Sequence, residues 1–217
     1  MEIKEVRDMT ALEAAQELLE DVNSLLDHHP AQKDPKPGKP AGPGYGPLLR
    51  AGTSLCYTAW EVYVEESLIE TVEWLLTNKK ADELPEKLRS WVAEQSSDPW
   101  VFVGDSWRSA VLELVRLRIE GDSDGRYGFN TANVRGVESL YKSILGFCPL
   151  REIKWQKKTN AAVRKQVSEL VKIRGEIVHR GSTPDALNLG LVRNWADFVR
   201  RLIEKFDEHM VEFRCNV

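Results

Sequence analysis

The residue types best suited to chemistry lie within residues 172–181, whose sequence is KIRGEIVHRG. Arg174 and His179 stand five positions apart in this segment. An arginine carries a permanent positive charge and a fork of N–H donors that fits phosphate oxygens, and a histidine exchanges protons near neutral pH. The pair could therefore act on a phosphodiester. Because a ribose 2′-OH is an internal nucleophile, such a site would need no metal.

The spacing of this pair is a weak signal when it is taken alone. Four histidines and sixteen arginines give on the order of one chance match in a chain of this length. Residues five apart on a helix are also separated by about 140° around the axis, so one copy does not bring both groups together. A second copy across a symmetric dimer would help to close the site. The other interpretation is a structural helix that carries the motif by chance.

Helical periodicity runs through most of the chain and predicts an all-α bundle with irregular loop insertions. The first helix would start at Thr10, with Glu13 at the capping-box position. The further helices are predicted at residues 47–78, 84–95, 107–120, 133–145 and 156–180, and from Pro184 to about residue 213. We divide the chain into an N-terminal helix at 1–29, a Pro/Gly-rich loop or linker at 30–46, and a helical domain at 47–217.

The helix predicted at residues 156–180 would carry Arg174 and His179. Its buried side is expected to contain the apolar residues at helical spacing, namely Val163, Val167, Leu170, Val171, Ile173, Ile177 and Val178. Gly181 is well placed to end this helix, and Thr183 could cap the next one. His179 would then lie in the last turn, where the helix dipole favours a cation.

Composition and charge exclude several classes of protein. With 42% hydrophobic and 29% charged residues, the chain is too apolar for a disordered protein and too charged for a membrane protein. Three widely spaced cysteines argue against a disulfide framework or a cysteine zinc site, and the charged start MEIKEVRDMT argues against secretion. We therefore expect a cytoplasmic protein with no membrane partner.

The distribution of charge is uneven along the chain. The net charge is −4, yet residues 151–180 hold nine lysines and arginines against three glutamates. A basic region of this kind could attract a polyanion such as a nucleic acid. It could equally be a solvated helix face.

Several blocks along the chain resemble one family of helical domains. Arg174 to His179 fits the R-x4-6-H signature of the HEPN superfamily, and the ordered blocks around it resemble the RiboL-PSP-HEPN-type domains of bacteria. The blocks are AWEVYVE at 59–65, FNTANV at 129–134, Leu140-Tyr141, LGF at 145–147 and ELVKIR at 169–174, with Gly181 after the motif. In this order they extend from about residue 50 to residue 210.

The resemblance implies metal-independent endoribonuclease chemistry in a homodimer, often within toxin–antitoxin or anti-phage systems. His179 would act as general acid or base, and Arg174 would bind the scissile phosphate and stabilise the pentacovalent state. The expected products carry a 2′,3′-cyclic phosphate and a 5′-OH end, with no cofactor or metal involved. RNA would be the substrate, and an antitoxin or defence-system protein a further partner.

Three other residues are weighed as supporting members of the site. Glu61 could orient His179 or Arg174, or it could be a structural partner. Arg180 could contact phosphate, or satisfy the end of its helix. Glu176 lies between the two motif residues and is included as a supporting acidic group.

The sequence departs from the pattern of the family at two positions. Gly175 stands where a polar residue often follows the motif arginine. Gly181 stands where some HEPN toxins present a tyrosine for modification by an antitoxin, so that form of control is not expected. The first departure keeps a second function open, which is a catalytically inactive HEPN module that binds nucleic acid or a partner protein.

Overall fold

Helices form nearly all the regular structure that we describe. The computed structural model describes residues 9–29, 45–95, 104, 106–121, 128–181 and 187–217. In these ranges it has eight helices: α1 (Ala11–Asp27), α2 (Gly46–Asn78), α3 (Glu86–Gln95), α4 (Trp107–Glu120), α5 (Val134–Ile144), α6 (Pro149–Glu152), α7 (Asn160–Arg180) and α8 (Leu189–Asn216). An isolated bridge pairs Trp155 with Lys158. The all-α prediction is confirmed.

The N-terminal helix begins as its sequence predicts. The Thr10 hydroxyl accepts a hydrogen bond from the Glu13 amide at 3.2 Å, and the Glu13 carboxylate accepts one from the Thr10 amide at 2.8 Å. Two amides at the helix start are thereby satisfied. The buried residues of α1 recur every three or four positions and are Ala11, Ala15, Leu19, Val22 and Leu26.

Contacts within the chain divide it into two compact units. Unit 1 comprises Met1–Tyr63 and Ser168–Glu204, and unit 2 comprises Val64–Val167 and Lys205–Val217. The boundaries fall inside α2, α7 and α8, so each of these long helices contributes to both units. The five residues proposed from the sequence for the site all belong to unit 1, and they are Glu61, Arg174, Glu176, His179 and Arg180.

In unit 1, α2 approaches α1 and α8 closely at Gly52. A Cβ atom added to Gly52 would lie 3.0 Å from Val192 Cγ1 and 3.5 Å from Leu26 Cδ2. The missing side chain therefore permits this approach. The neighbouring Thr53 is fully buried, and its hydroxyl donates to the Leu49 carbonyl at 2.9 Å, which satisfies a polar group inside the core.

In unit 2, Tyr141 lies at the centre of a buried cluster. Its ring meets Phe206 edge-on with 5.0 Å between the ring centres. Its hydroxyl donates to the Val64 carbonyl at 2.8 Å and lies 2.6 Å from the Ser67 hydroxyl. Burial raises the pKa of the Tyr141 phenol, so the group stays protonated and keeps its donor role.

The predicted start of the motif helix is wrong by four residues. α7 begins at Asn160 instead of residue 156, because the Thr159 hydroxyl accepts a hydrogen bond from the Ala162 amide at 3.2 Å and caps the first turn. The Asn160 side chain also donates to the Leu150 carbonyl at 2.9 Å. These bonds tie the start of α7 to α6, a short helix that the periodicity did not predict.

The predicted start of the last helix is also wrong. α8 begins at Leu189, where the Asn188 side chain accepts a hydrogen bond from the Leu191 amide at 2.9 Å. An asparagine in this position satisfies an amide of the first turn. Leu187 and Asn188 before α8 are not helical, and Pro184, the predicted first residue, lies outside the described residues. The proposed cap at Thr183 and most of the loop at 30–46 lie outside the described residues.

Candidate functional site

The last two turns of α7 carry Arg174 and His179. Arg174 is half-buried and His179 is exposed. α7 ends at Arg180, and Gly181 follows with a φ of +60° while its amide donates to the Ile177 carbonyl at 3.0 Å. This left-handed conformation favours glycine. The prediction that Gly181 ends the motif helix is therefore confirmed.

The guanidinium of Arg174 lies over an aromatic ring of α2. Its central carbon is 5.0 Å from the centre of the Tyr57 ring, which is within the range of a cation–π interaction. Tyr57 itself is 1% exposed. The ring thus provides a rigid support that holds one face of the guanidinium and leaves the half-buried side chain in contact with solvent.

Tyr57 in turn is held by Glu61, one turn further along α2. The Tyr57 hydroxyl donates to Glu61 Oε1 at 2.6 Å, which is the short distance typical of a hydrogen bond to a carboxylate. Glu61 is half-buried. Its connection to Arg174 therefore runs through the Tyr57 ring and hydroxyl. Sequence reasoning missed Tyr57, although its i, i+4 spacing to Glu61 was a usable signal.

The remaining sequence candidates lie near the end of α7, where Glu176 is half-buried and Arg180 is exposed. Glu176 Oε1 is 4.0 Å from Lys172 Nζ, and the Lys172 side chain is 77% exposed. An ion pair of this kind contributes little to stability. Arg180 is exposed beside His179 in the last turn, where the negative end of the helix dipole favours a positive charge.

One apolar residue of this helix does not lie where the periodicity predicts. Val178 was expected on the buried side, but it is 53% exposed. Its neighbour Ile177 is buried and takes the core position in this turn. The prediction for Val178 is therefore wrong, and an exposed valine lies next to His179.

The helix geometry separates the two motif residues. Five positions correspond to about 140° of rotation and about 7.5 Å of rise, so Arg174 and His179 leave α7 in different directions. Arg174 meets Tyr57, whereas His179 is exposed. A single α7 therefore presents a guanidinium and an imidazole without converging them on one point.

A family model for RiboL-PSP-HEPN domains matches residues 16–212. The chain belongs to the RiboL-PSP-HEPN family. The HEPN match runs from the second turn of α1 to the last turns of α8, and it includes all five residues considered above. HEPN domains are all-α, and their superfamily comprises nucleases and RNA-binding proteins. The resemblance seen in the sequence is confirmed.

Two other comparisons add no relatives to this HEPN chain. Neither the search of curated proteins nor that of solved structures gave a match. In the part of the chain that the structure describes, no helix is both long enough and apolar enough to span a membrane.

Proposed function

We propose that this HEPN domain is a metal-independent endoribonuclease that acts as a homodimer. The observation that carries the proposal is the position of Arg174, which lies on Tyr57 one turn and a half before an exposed His179. A guanidinium fixed on one face still offers N–H donors at its edges to phosphate oxygens. The same helix end supplies the proton-transfer group.

The reaction uses the ribose next to the scissile bond. A base removes the proton of the 2′-OH, and the 2′ oxygen attacks phosphorus. The bond between phosphorus and the 5′ oxygen then breaks, and an acid gives the leaving oxygen a proton. The products are a 2′,3′-cyclic phosphate and a 5′-OH end, and no water is consumed.

Each side chain has a distinct role in this proposal. Arg174 binds the non-bridging oxygens and stabilises the charge that grows on them in the pentacovalent state. His179 is the general acid or base, because an imidazole is the side chain best suited to exchanging protons near neutral pH. Arg180 adds positive charge at the phosphate, whereas Glu61 acts through Tyr57 to hold the support of Arg174.

The dimer supplies what one α7 lacks. A two-fold axis beside the end of α7 would bring Arg174 of one copy and His179 of the other toward the same phosphate. It would also provide two histidines, one for each proton transfer. Val178, which is exposed beside the motif, would be covered in this arrangement.

The biological setting proposed for this activity is a toxin–antitoxin or anti-phage system. It rests on the membership in the RiboL-PSP-HEPN family. In that setting an antitoxin or a defence-system protein would restrain the nuclease, and the exposed end of α7 is the surface that such a partner would have to cover.

The test is cleavage of labelled RNA by the purified protein in EDTA. His179→Ala is expected to lower the rate by at least about 100-fold, and Arg174→Ala by a similar factor. His28→Ala and Arg193→Ala, which alter exposed residues elsewhere in unit 1, should leave the rate unchanged. Cleavage that persists in both motif variants, or ends without a cyclic phosphate, would contradict the proposal.

The second function, a HEPN module that binds RNA or protein without cleavage, is favoured by Gly175. This residue adds no polar group beside Arg174, and a Cβ there would have no described atom within 4 Å. On this view the wild type binds RNA but leaves it intact, and Arg174→Ala weakens binding without any change in cleavage.

A further inference from the structure

A concave surface in unit 2 collects positive charge away from the motif in the sequence. We call it the basic pocket. It has a volume of about 440 Å³ and is lined by Arg135, Glu138, Ser139, Lys142, Ser143 and Arg151. Five of the six lie on α5, and Arg151 comes from α6. The α5 residues follow the i, i+3, i+4, i+7, i+8 spacing of one helix face.

The one carboxylate of the pocket is already paired with two arginines of the protein. Glu138 is 8% exposed and pairs with Arg151 at 2.8 Å and with Arg164 at 2.6 Å. Burial raises the pKa of the Glu138 carboxyl, but the Arg151 hydrogen bond and the charges of Arg164 and Lys142 outweigh burial and keep the pKa below its ordinary value. Glu138 therefore stays ionised and orients arginines instead of attracting a cation.

Arg135 and Lys142 give the pocket its excess of positive charge. Arg135 is exposed and Lys142 is half-buried, and they lie two turns apart on α5. Their separation along the axis is about 10 Å, which is about three times the 3.4 Å axial spacing of phosphates along one strand of a duplex. Ser139 lies exposed on the same face and adds a hydroxyl group, which can hydrogen-bond to a phosphate oxygen. The Ser143 hydroxyl already donates to the Leu140 carbonyl at 2.9 Å.

The positive charge continues past the pocket along the chain. Lys154, Lys157 and Lys158 are exposed in the turn before α7, and the Lys158 ammonium lies 5.5 Å from the centre of the Trp155 ring. Residues 128–167 contain eight basic and two acidic residues, in a chain whose net charge is −4. Basic residues that continue along the chain beyond those lining the pocket favour an extended polyanion over a single small anion.

We propose that the basic pocket of unit 2 binds the phosphodiester backbone of RNA. This proposal rests on the proposed function for the nature of the polymer, and it assigns substrate binding to residues outside the R-x4-H motif. The contacts would be made to phosphates, so they would position the strand without reading its sequence.

Binding is measured with a fluorescent 2′-O-methyl RNA of about 20 nucleotides, which lacks the 2′-OH nucleophile and is not cleaved. Arg135→Gln/Lys142→Gln is compared with Lys80→Gln/Arg89→Gln, a pair of exposed residues of unit 2 outside the pocket. Both variants lose two positive charges. The salt dependence of the affinity is recorded for each between about 50 and 200 mM KCl.

The pocket variant is expected to bind RNA about tenfold more weakly at low salt. The slope of log affinity against log salt should fall by about 1.4, which corresponds to two lost phosphate contacts on a single strand. The control pair should change the affinity less than about twofold. If the double variant does not fold, Arg135→Gln by itself should weaken binding about threefold.

Two results would overturn the proposal. In the first, the pocket variant binds RNA with the same affinity and the same salt slope as the control variant. In the second, the wild type binds adenosine monophosphate and the pocket variant does not, while the two proteins bind RNA equally well. The pocket would then bind a small phosphorylated ligand instead of RNA. Cleavage is scored separately on unmodified RNA. If the wild type binds RNA through the pocket but does not cleave it, the nuclease proposal is contradicted and the proposal for the basic pocket is supported.

Discussion

Replacing Tyr57 with phenylalanine removes one hydroxyl and leaves the ring under Arg174 in place. The lost interaction is the 2.6 Å hydrogen bond to Glu61. A hydrogen bond to a charged group contributes about 1.5–3 kcal/mol. Glu61 is half-buried and can be rehydrated, so we expect a loss in the free energy of unfolding near the lower limit, about 1.5 kcal/mol. For a chain of this size that corresponds to a fall in Tm of about 3–6 °C.

The matched comparison is Tyr141→Phe in unit 2. This change removes the bond to the Val64 carbonyl and the contact with Ser67, and both are fully buried. Partners left without a hydrogen bond inside a core cannot be rehydrated, so the expected loss is larger, about 3 kcal/mol. Urea unfolding monitored by circular dichroism measures both variants.

The cleavage assay separates positioning from stability. Tyr57→Phe should lower the cleavage rate by less than about tenfold, because the ring contact worth roughly 0.5–1 kcal/mol remains. Tyr141→Phe should leave the rate unchanged at temperatures where it is folded. The reasoning is refuted if Tyr57→Phe unfolds with the free energy of the wild type, or if Tyr141→Phe is the less destabilised of the two.

Three further changes test other parts of the structure. Glu138→Gln should lower the free energy of unfolding by about 2 kcal/mol at pH 7, since it weakens the pairs with Arg151 and Arg164. The pKa of Glu138 is lowered in the folded state. The difference in unfolding free energy between wild type and variant is therefore present above the ordinary carboxyl pKa of about 4.3 and should shrink as the pH falls below it. Urea titrations at several pH values measure this difference. Gly175→Ala should stabilise α7 by about 0.8 kcal/mol, because a Cβ there meets no described atom within 4 Å, and a lower Tm would argue against this view of the site. Val178→Glu should convert the proposed dimer to a monomer in light scattering and lower cleavage with it, whereas an unchanged dimer would place the interface elsewhere.

Most of the helices and several of their ends were predictable from short patterns in the chain. The capping box at Thr10 and Glu13 and the glycine after α7 both depend on groups a few residues apart. Local hydrogen bonding decides such features, so short patterns carry enough information to predict them. The family was also predictable, because its blocks occur in a fixed order along the chain.

The support of the motif arginine and the position of a second basic site depend on packing between helices, which short patterns do not encode. Arg174 and Tyr57 are more than a hundred positions apart, and their contact depends on how α7 packs against α2 in unit 1. The basic pocket likewise requires α6, which periodicity did not predict, to place Arg151 beside α5. The prediction that Val178 is buried was wrong for the same reason. Helical spacing defines a face, but the neighbouring helices decide how much of that face is covered.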